Sequence, residues 1–320
     1  MKRKYLINLN DPDDCIGKYE DKDHNANFVK ERMDLLIEML DHDGTHEVTR
    51  SVFYEGNEAG CHMAKWGFET MFIGDGELEV TVRGRRCRST KGDILHFGTF
   101  NAHGMKWLKD TPWIGFFHKM NICQPTIDKM LLNENCPEMS DAERAAAFSE
   151  SYDLYDLAKP VVVDVPKSEI YEIRPPEFAF ATFTYDGLIM KQKVGRWETD
   201  GMYEIWDFIM EDGFMAGGAR PDPKPCVYYV TEGEVLFTVF KDEFIAPKDS
   251  LVHIPPYGIH SFQSIGKSSM YSVMGGVWYH DLISEWKSYE AYEPEKLKDK
   301  AFVDSLKKKY NCYLTQWGCV

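Results

Sequence analysis

Short runs of alternating apolar and polar residues are the main pattern of this chain. The runs are rich in Val, Ile, Phe and Tyr, and Gly, Asp-Gly or Pro-Pro interrupts them where turns are expected. Because successive side chains of a strand point to opposite faces, the pattern predicts antiparallel β-strands. The predicted strands cover residues 48–54, 69–74, 77–83, 93–97 and 104–119 in a first group, and 205–211, 226–231, 234–240, 250–254 and 268–279 in a second.

An internal repeat relates the two groups. Three segments align without a gap at a constant offset of 157 residues, pairing 55–60 with 212–217, 71–82 with 228–239 and 93–103 with 250–260. Three matches in one register indicate a duplicated domain. Many short strands without helices between them predict an all-β fold, with a sandwich or jelly-roll barrel for each copy.

Helical periodicity is confined to segments outside these strands. Residues 27–40 carry apolar side chains at helical spacing, residues 140–143 form a capping box, and residues 294–310 have a Lys-rich polar face. Segments 161–165 and 178–194 predict extra strands. We therefore expect an N-terminal helical extension (1–45), a first barrel (46–120), a connecting segment with a helix and extra strands (121–200), a second barrel (201–281) and a C-terminal helical tail (282–320).

Composition and charge limit the classes of partner and the location that we expect for the protein. The 320 residues carry a net charge of -15, whereas a nucleic-acid-binding surface is expected to be basic. No stretch approaches ~20 consecutive apolar residues, so no membrane helix is expected. The basic start runs into acids before an apolar signal segment can form, which favours a cytoplasmic location. The eight cysteines contain no Cys-X-X-Cys pair and are expected to be reduced.

Two motifs in the first copy carry the candidate chemistry. The first reads Gly56, His62 and Glu69 in order, and the second ends on His103. Their spacing resembles the cupin superfamily, whose motifs read G(X)5HXH(X)3–4E(X)6G and G(X)5PXG(X)2H(X)3N. The resemblance implies two tandem double-stranded β-helix barrels (a bicupin), which in this superfamily commonly pair into homodimers. It also implies that three histidines and the glutamate hold a divalent transition metal.

Carried over position by position, His62, Glu69 and His103 fall on metal ligands, and Ala64 falls where the second histidine is expected. Imidazole nitrogens plus one carboxylate suit Fe(II), and also Mn, Ni or Zn. Three ligands leave room for a substrate to bind the same metal. We expect one metal, with iron favoured, in the first barrel.

The second copy has lost this ligand set. At the equivalent positions it carries Ala219, Pro221 and Cys226, and it retains only His260. A metal site needs about three convergent ligands, so we expect a structural or dimer-forming barrel. The alternative is a metal-free anion pocket lined by Arg220, Asp222, Lys224 and His260.

Several residues near the motifs are candidates for substrate binding. Lys65 or Lys106 could hold a substrate carboxylate, and Trp66 could wall the pocket. The full candidate set is Lys65, Trp66, Asn101, Lys106, Arg220 and His260.

The resemblance leaves the activity open, since this fold hosts many chemistries. The first hypothesis is a metal-dependent enzyme for a small oxygenated or carboxylated molecule, either dioxygenase-like or redox-neutral in the manner of isomerases and lyases. The alternative is a non-catalytic bicupin that binds a metal or a small molecule as a sensor.

Overall fold

The computed structural model describes residues 5–21, 31–37, 46–119, 138–140, 142–143, 146–147, 154–217, 224–275, 279–310 and 316–319. Their structure is mostly antiparallel strands. The strands up to residue 178 are β1 (Leu6–Asn8), β2 (Gly17–Asp21), β3 (Glu31–Ile37), β4 (His46–Phe53), β5 (Glu58–Ala64), β6 (Phe68–Ile73), β7 (Glu77–Val82), β8 (Arg85–Thr90), β9 (Ile94–Phe97), β10 (His103–Trp107), β11 (Thr111–His118), β12 (Leu154–Asp156), β13 (Val163–Asp164) and β14 (Ile173–Arg174).

Apart from short 3-10 turns, the elements described beyond residue 178 are strands and two α-helices near the C-terminus. They are β15 (Thr182–Tyr185), β16 (Leu188–Val194), β17 (Glu204–Met210), β18 (Phe214–Gly217), β19 (Cys226–Val239), β20 (Asp242–Pro247), β21 (Ser250–Ile254), β22 (His260–Met274), α1 (Tyr279–Tyr292), α2 (Lys300–Lys309) and β23 (Gln316–Cys319). Neither of these helices is both long and apolar enough to cross a membrane. The all-β prediction is confirmed.

The first unit, Cys15–Phe178, contains two sheets around one core. One sheet has the strand order β12-β5-β10-β7-β8-β13, and the other has the order β14-β9-β6-β11-β4-β3-β2. Buried Val80 and Met105 come from the first sheet, and buried Met71, Leu95 and Trp113 come from the second. Since all five belong to one apolar cluster, the two sheets face each other across the core.

The second unit combines Met1–Asp14 with Ala179–Val320. Its sheet runs β1-β21-β19-β22-β17-β16-β15, with β18, β20 and β23 paired at its margins. Helix α1 buries Tyr279, Leu282 and Ile283 in the core of this unit. The predicted helical tail is therefore present, but it also ends in a strand, because β23 pairs with β18.

The strands of the two units repeat at the offset found in the sequence. Both bounds of β3 lie 157 residues before those of β16, and both bounds of β8 lie 157 residues before those of β20. Turn conformations repeat as well, since Phe100 and Tyr257, which are related by the same offset, both have a positive φ. The duplication therefore extends to β3, beyond the segments in which the sequence reveals it.

The predicted N-terminal helix is wrong over the described part of its range. Residues 31–37 form β3, which pairs with β4 on one side and with β2 on the other. Asp34 is buried and is bridged by Arg32 at 3.0 Å and by Arg50 of β4 at 2.7 Å. Pairing with a neighbouring strand outweighs local helical periodicity here. Residues 27–30 and 38–40 lie outside the described residues.

The boundaries of the two units also differ from those of the predicted domains. Strand β1 pairs with β21 and so belongs to the second unit, whereas β14 adds to the sheet of the first unit through β9. Strands β15 and β16 extend the sheet of the second unit at β17. The predicted capping box is present, with Ser140 Oγ accepting from the Glu143 backbone N–H and Glu143 accepting from the Ser140 N–H.

Candidate metal centre

Three strands of the first unit place the candidate ligands. His62 on β5 and His103 on β10 lie directly opposite each other in neighbouring strands, and Glu69 extends from β6 in the facing sheet. The β5–β10 register shifts between His103 and Met105. A bulge of this kind re-aims a side chain, and bulges are frequent beside functional sites.

The side-chain atoms of these three residues converge. One potential ligand atom from each of His62, Glu69 and His103 lies within 4.8 Å of the others. His103 Nε2 is 3.5 Å from Glu69 Oε2, and the two imidazole rings have centroids 4.3 Å apart. Glu69 and His103 are buried, and His62 is partly exposed. The structure therefore brings together the three predicted ligands.

Backbone carbonyls fix the orientation of both imidazoles. His62 Nδ1 donates to the Gly60 carbonyl at 2.8 Å, and His103 Nδ1 donates to the Asn101 carbonyl at 2.9 Å. A ring nitrogen that donates in this way leaves the other nitrogen as a lone-pair donor. Phe97 stacks on His103 with ring centroids 3.7 Å apart and planes 5° apart, which also fixes the plane of that ring.

Burial and neighbouring charges shift the pKa values of His62 and Glu69. Burial lowers the pKa of His62, and the neighbouring His103 lowers it further. Burial alone would raise the pKa of Glu69, but the imidazoles of His103 and His62 outweigh it, so this pKa is lowered. Metal ligation requires neutral imidazole and ionised carboxylate. Burial favours the neutral form of His62, and the carboxylate form of Glu69 is favoured when the neighbouring imidazoles carry a proton.

The residues fit a divalent transition metal. Glu69 Oε1 and His103 Nε2 are fully buried and have no hydrogen-bond partner among the described residues. Buried polar atoms are normally paired, and a bound ion is one of the partners that explains such an exception. A donor set of two nitrogens and one oxygen without thiolate suits Fe, Mn, Ni or Zn.

The expected fourth ligand is absent at Ala64. Its side chain is buried, and its carbonyl accepts a 2.7 Å hydrogen bond from the Phe100 backbone N–H. Among the described residues, no further His, Cys, Asp or Glu joins the three-residue cluster. The described residues thus offer three ligands, one fewer than the cupin motifs contain.

Structural comparison relates this arrangement to known proteins. A cupin 2 conserved barrel domain protein from Leptotrichia buccalis superposes with a TM-score of 0.53 at 12% identity, covering 86% of this chain and 98% of that chain. Oxalate decarboxylase from Bacillus subtilis, a protein with Mn(II) centres, superposes with a TM-score of 0.55 at 13% identity, covering 86% and 78%. The fold is that of the cupin β-barrels.

A third similar structure is the formate complex of Lactobacillus farciminis oxalate decarboxylase, with a TM-score of 0.51 at 12% identity, covering 85% of this chain and 86% of that chain. The sequence itself matches no family model and no curated protein. At these identities, the likeness concerns the cupin fold alone.

Three of the predicted substrate-binding residues lie in the segments that join the ligand-bearing strands of the first unit to their neighbours. Lys65 Nζ lies 3.7 Å from the centroid of the Tyr155 ring, so its charge is partly engaged there. Trp66, in the turn after β5, is 67% exposed. Asn101 is buried, and its side-chain Nδ2 donates to Glu172 Oε1 at 2.7 Å. Asn101 therefore positions His103 through its carbonyl.

Lys106 does not reach this site. Along β10, His103, Met105 and Trp107 are buried in the interior, so the alternation of side chains sends Lys106 to the opposite, exposed face. The prediction that it could hold a substrate carboxylate beside the metal is therefore wrong. Arg220 lies outside the described residues.

In the second cupin barrel, the histidine that corresponds to His103 is hydrogen-bonded at both ring nitrogens. His260 Nδ1 donates to the Gly258 carbonyl at 3.1 Å, and the Tyr228 hydroxyl donates to His260 Nε2 at 2.8 Å. Burial lowers the pKa of His260, which favours the neutral ring. The Tyr228 hydroxyl thus binds the lone pair of His260 Nε2, the atom that corresponds to Nε2 of His103. In the first barrel, Met71 occupies the position equivalent to Tyr228.

Two acidic residues of the first unit, Asp156 and Glu47, are not among the residues that the sequence singles out. Asp156 on β12 lies opposite His62 and raises the pKa of that ring, against the larger effect of burial. Glu47 on β4 is buried within the first unit. Neither belongs to a cupin motif, and Asp156 comes from outside the repeat. The offset of 157, which relates Glu47 to Glu204, is the signal in the sequence that could have marked Glu47.

Proposed function

We propose that this chain is a bicupin enzyme that holds one divalent transition metal in its first barrel and acts there on a small oxygen-bearing molecule. The convergence of His62, Glu69 and His103 within 4.8 Å supports the proposal most strongly. The hydrogen bonds at both Nδ1 atoms leave the Nε2 atoms as ligands. Three protein ligands are the open arrangement of catalytic rather than structural sites.

Each part of the site has a role in this proposal. A divalent metal held there would supply Lewis-acid or redox chemistry at the positions that the protein leaves open. His62, Glu69 and His103 bind it, while Ala64 provides no donor and so leaves space for a substrate oxygen. The face of Phe97 shields His103 from water and keeps its ring in place.

The chemistry is either dioxygenase-like or redox-neutral. A substrate that binds through oxygen atoms is common to both, and the fold shared with the oxalate decarboxylases favours a lyase-type reaction. Turnover under argon separates the two routes, because a dioxygenase stops without O2 and an isomerase or lyase continues.

Metal analysis tests the proposal. The purified protein should contain about one equivalent of Fe, Mn, Ni or Zn per chain, and Glu69→Ala or His103→Ala should lose it while circular dichroism stays unchanged. His260→Ala, the equivalent change in the second barrel, is the matched control and should leave the metal content intact. Full metal content in the Glu69→Ala and His103→Ala proteins would contradict the proposed site.

A further inference from the structure

A pocket of about 130 Å³ lies on the outer face of the sheet that contains β5, β10 and β7. The inner face of this sheet places Val80 of β7 and Met105 of β10 in the core. Successive residues of a strand alternate between the two faces, so Thr81, Gly104 and Lys106 belong to the outer face. All three line the pocket, which is therefore separated from the metal centre by the sheet itself.

Residues 157–162 form a strap across this pocket. The strap leaves β12 at one edge of the sheet and enters β13 at the other, five strand spacings or roughly 24 Å away. Seven residue steps from β12 to β13 reach at most about 25 Å, so the strap is nearly extended. Its ends are fixed, because the Leu157 N–H donates to the Cys61 carbonyl at 2.8 Å and the Val163 N–H donates to the Gly84 carbonyl at 2.9 Å.

The strap supplies one wall of the pocket. Lys159, Pro160 and Val162 line it from this side. The ring of Pro160 fixes its own φ, which removes one degree of freedom from a segment that is already extended. The pocket is therefore preformed and has an apolar wall next to its charged groups.

The charges around the pocket leave one cation unpaired. Glu58 of β5 and Glu79 of β7 lie directly opposite Lys106 on the two neighbouring strands. Other cations engage both carboxylates, since Lys159 Nζ is 3.2 Å from Glu58 Oε1 and Arg86 Nη1 is 3.5 Å from Glu79 Oε2. The side chain of Lys106 has no hydrogen bond, ion pair or ring contact with any described residue. On a chain with a net charge of -15, the lining thus carries three cations against two carboxylates.

A second donor lies close to this ammonium group. Thr81 is directly opposite Gly104 and therefore diagonal to Lys106, a separation of about 7–8 Å between backbones. The Thr81 hydroxyl has no hydrogen bond within the described part of the chain, and Gly104 leaves the space between the two donors open. Arg86 is less available, because its Nε also donates to Asp164 Oδ1 at 2.7 Å.

From these observations we propose that the pocket binds a small monocarboxylate at a site independent of the metal centre. The carboxylate accepts hydrogen bonds from Lys106 Nζ and the Thr81 hydroxyl, and the short apolar chain contacts Pro160 and Val162. One unpaired ammonium group matches one negative charge, and the neighbouring glutamates repel a second. The volume lies well below the ~300 Å³ at which pockets for drug-sized ligands begin, which limits the ligand to a few carbon atoms.

Propanoate binding to the purified full-length protein tests this site, with a ligand-observed NMR titration as the readout. Lys106→Gln should weaken binding about tenfold, because a hydrogen bond to a charged group is lost. Thr81→Val removes the hydroxyl but keeps the shape, and it should weaken binding several-fold. Lys91→Gln is the matched control and should leave the affinity unchanged, because Lys91 is an exposed lysine in the turn between β8 and β9 and does not line the pocket.

Two further arms identify the site and the ligand class. Propanoate binding should persist in His103→Ala, whose change lies on the other face of the sheet, and an equal concentration of sulfate should not displace it. The inference is overturned if the unaltered protein does not bind propanoate, or if Lys106→Gln and Lys91→Gln weaken binding equally. Displacement by sulfate overturns it as well, and so does binding that is lost in His103→Ala but kept in Lys106→Gln. None of these results changes the expected metal content, so the proposed function is tested separately.

Discussion

At the scale of single residues, the site depends on side chains that never touch a metal. Phe97 is buried and stacks almost parallel on His103, whose Nδ1 is fixed by the Asn101 carbonyl. Stacking and the hydrogen bond together allow one ring plane and one tautomer. Outer partners of this kind commonly contribute 10- to 100-fold to metal affinity. The stacked phenyl ring is therefore a determinant of binding as well as a core residue.

Replacement of Phe97 by Leu should separate these two roles. We expect a loss of stability of about 1–3 kcal/mol from the smaller side chain and, in addition, metal affinity reduced about tenfold. Competition with a metal chelator measures the affinity, and urea denaturation of the metal-free protein measures the stability. Phe237→Leu in the core of the second barrel is the control, because it should lose stability alone. Equal metal affinity in the Phe97→Leu and unaltered proteins would show that the stacking only fills space.

Gly115 is required by the position of Phe117. A methyl group at this residue would lie 2.5 Å from the phenyl ring, so Gly115→Ala should displace the ring. We expect a destabilisation of about 1–3 kcal/mol from overpacking. Metal content should persist, because none of the three ligands has to move; urea denaturation measures the stability and elemental analysis the metal. Unchanged stability of Gly115→Ala would contradict the close packing of Phe117 over Gly115, and loss of the metal would show that this packing also supports the ligands.

At the scale of elements, Glu204 joins two strands and a helix. It accepts from Trp206 of its own strand, from Gln192 of β16, and from the His280 backbone N–H at the start of α1. Burial raises the pKa of Glu204 to about 7, and the hydrogen bond from Trp206 only partly opposes this shift. The buried carboxyl is therefore more stable in its neutral form.

This shift predicts a pH dependence of folding. In the unfolded chain the carboxyl has a pKa near 4.5, the ordinary value for glutamate, so the folded state binds the proton more tightly. The stabilisation is fully present below about pH 4.5 and is lost as the pH rises through about 7, a change of about 3 kcal/mol. Urea denaturation from pH 4.5 to 8 should reveal this loss in the unaltered protein relative to Glu204→Gln. Parallel stability curves for the two proteins would contradict the assignment.

The strands also show how much of the fold and of the candidate site could be predicted from the sequence alone. Alternation and the repeat predict most strands, and motif spacing predicts His62, Glu69 and His103. Residues 31–37 have helical spacing, yet they form β3, since the ion pair from Arg50 to Asp34 and the pairing with β4 involve residues outside this segment. Asp156 lies opposite His62 only because β12 pairs with β5, and no local pattern encodes that pairing.

At the scale of the whole molecule, duplication has produced two barrels that differ in the hydrogen bonding of one equivalent histidine. His103 and His260 are equivalent, and both donate Nδ1 to a carbonyl two residues earlier. The Nε2 of His260 is bonded by Tyr228, whereas the Nε2 of His103 has no hydrogen-bond partner among the described residues. The hydrogen-bonding groups of His260 in the second barrel are thus satisfied without an ion. In the first barrel, the buried ligand atoms gain a partner when an ion binds.

Metal removal should therefore affect one unit only. A ligand at about 100 times its Kd stabilises the folded state by about 2.7 kcal/mol, so chelation should destabilise the first unit by this order. Hydrogen exchange followed by mass spectrometry should show faster exchange in β5, β6 and β10 after chelation. The second unit supplies the internal control, because β19 and β22 should exchange at the same rate with and without metal. Equal acceleration in both units, or none in the first, would contradict a single metal centre in the first barrel.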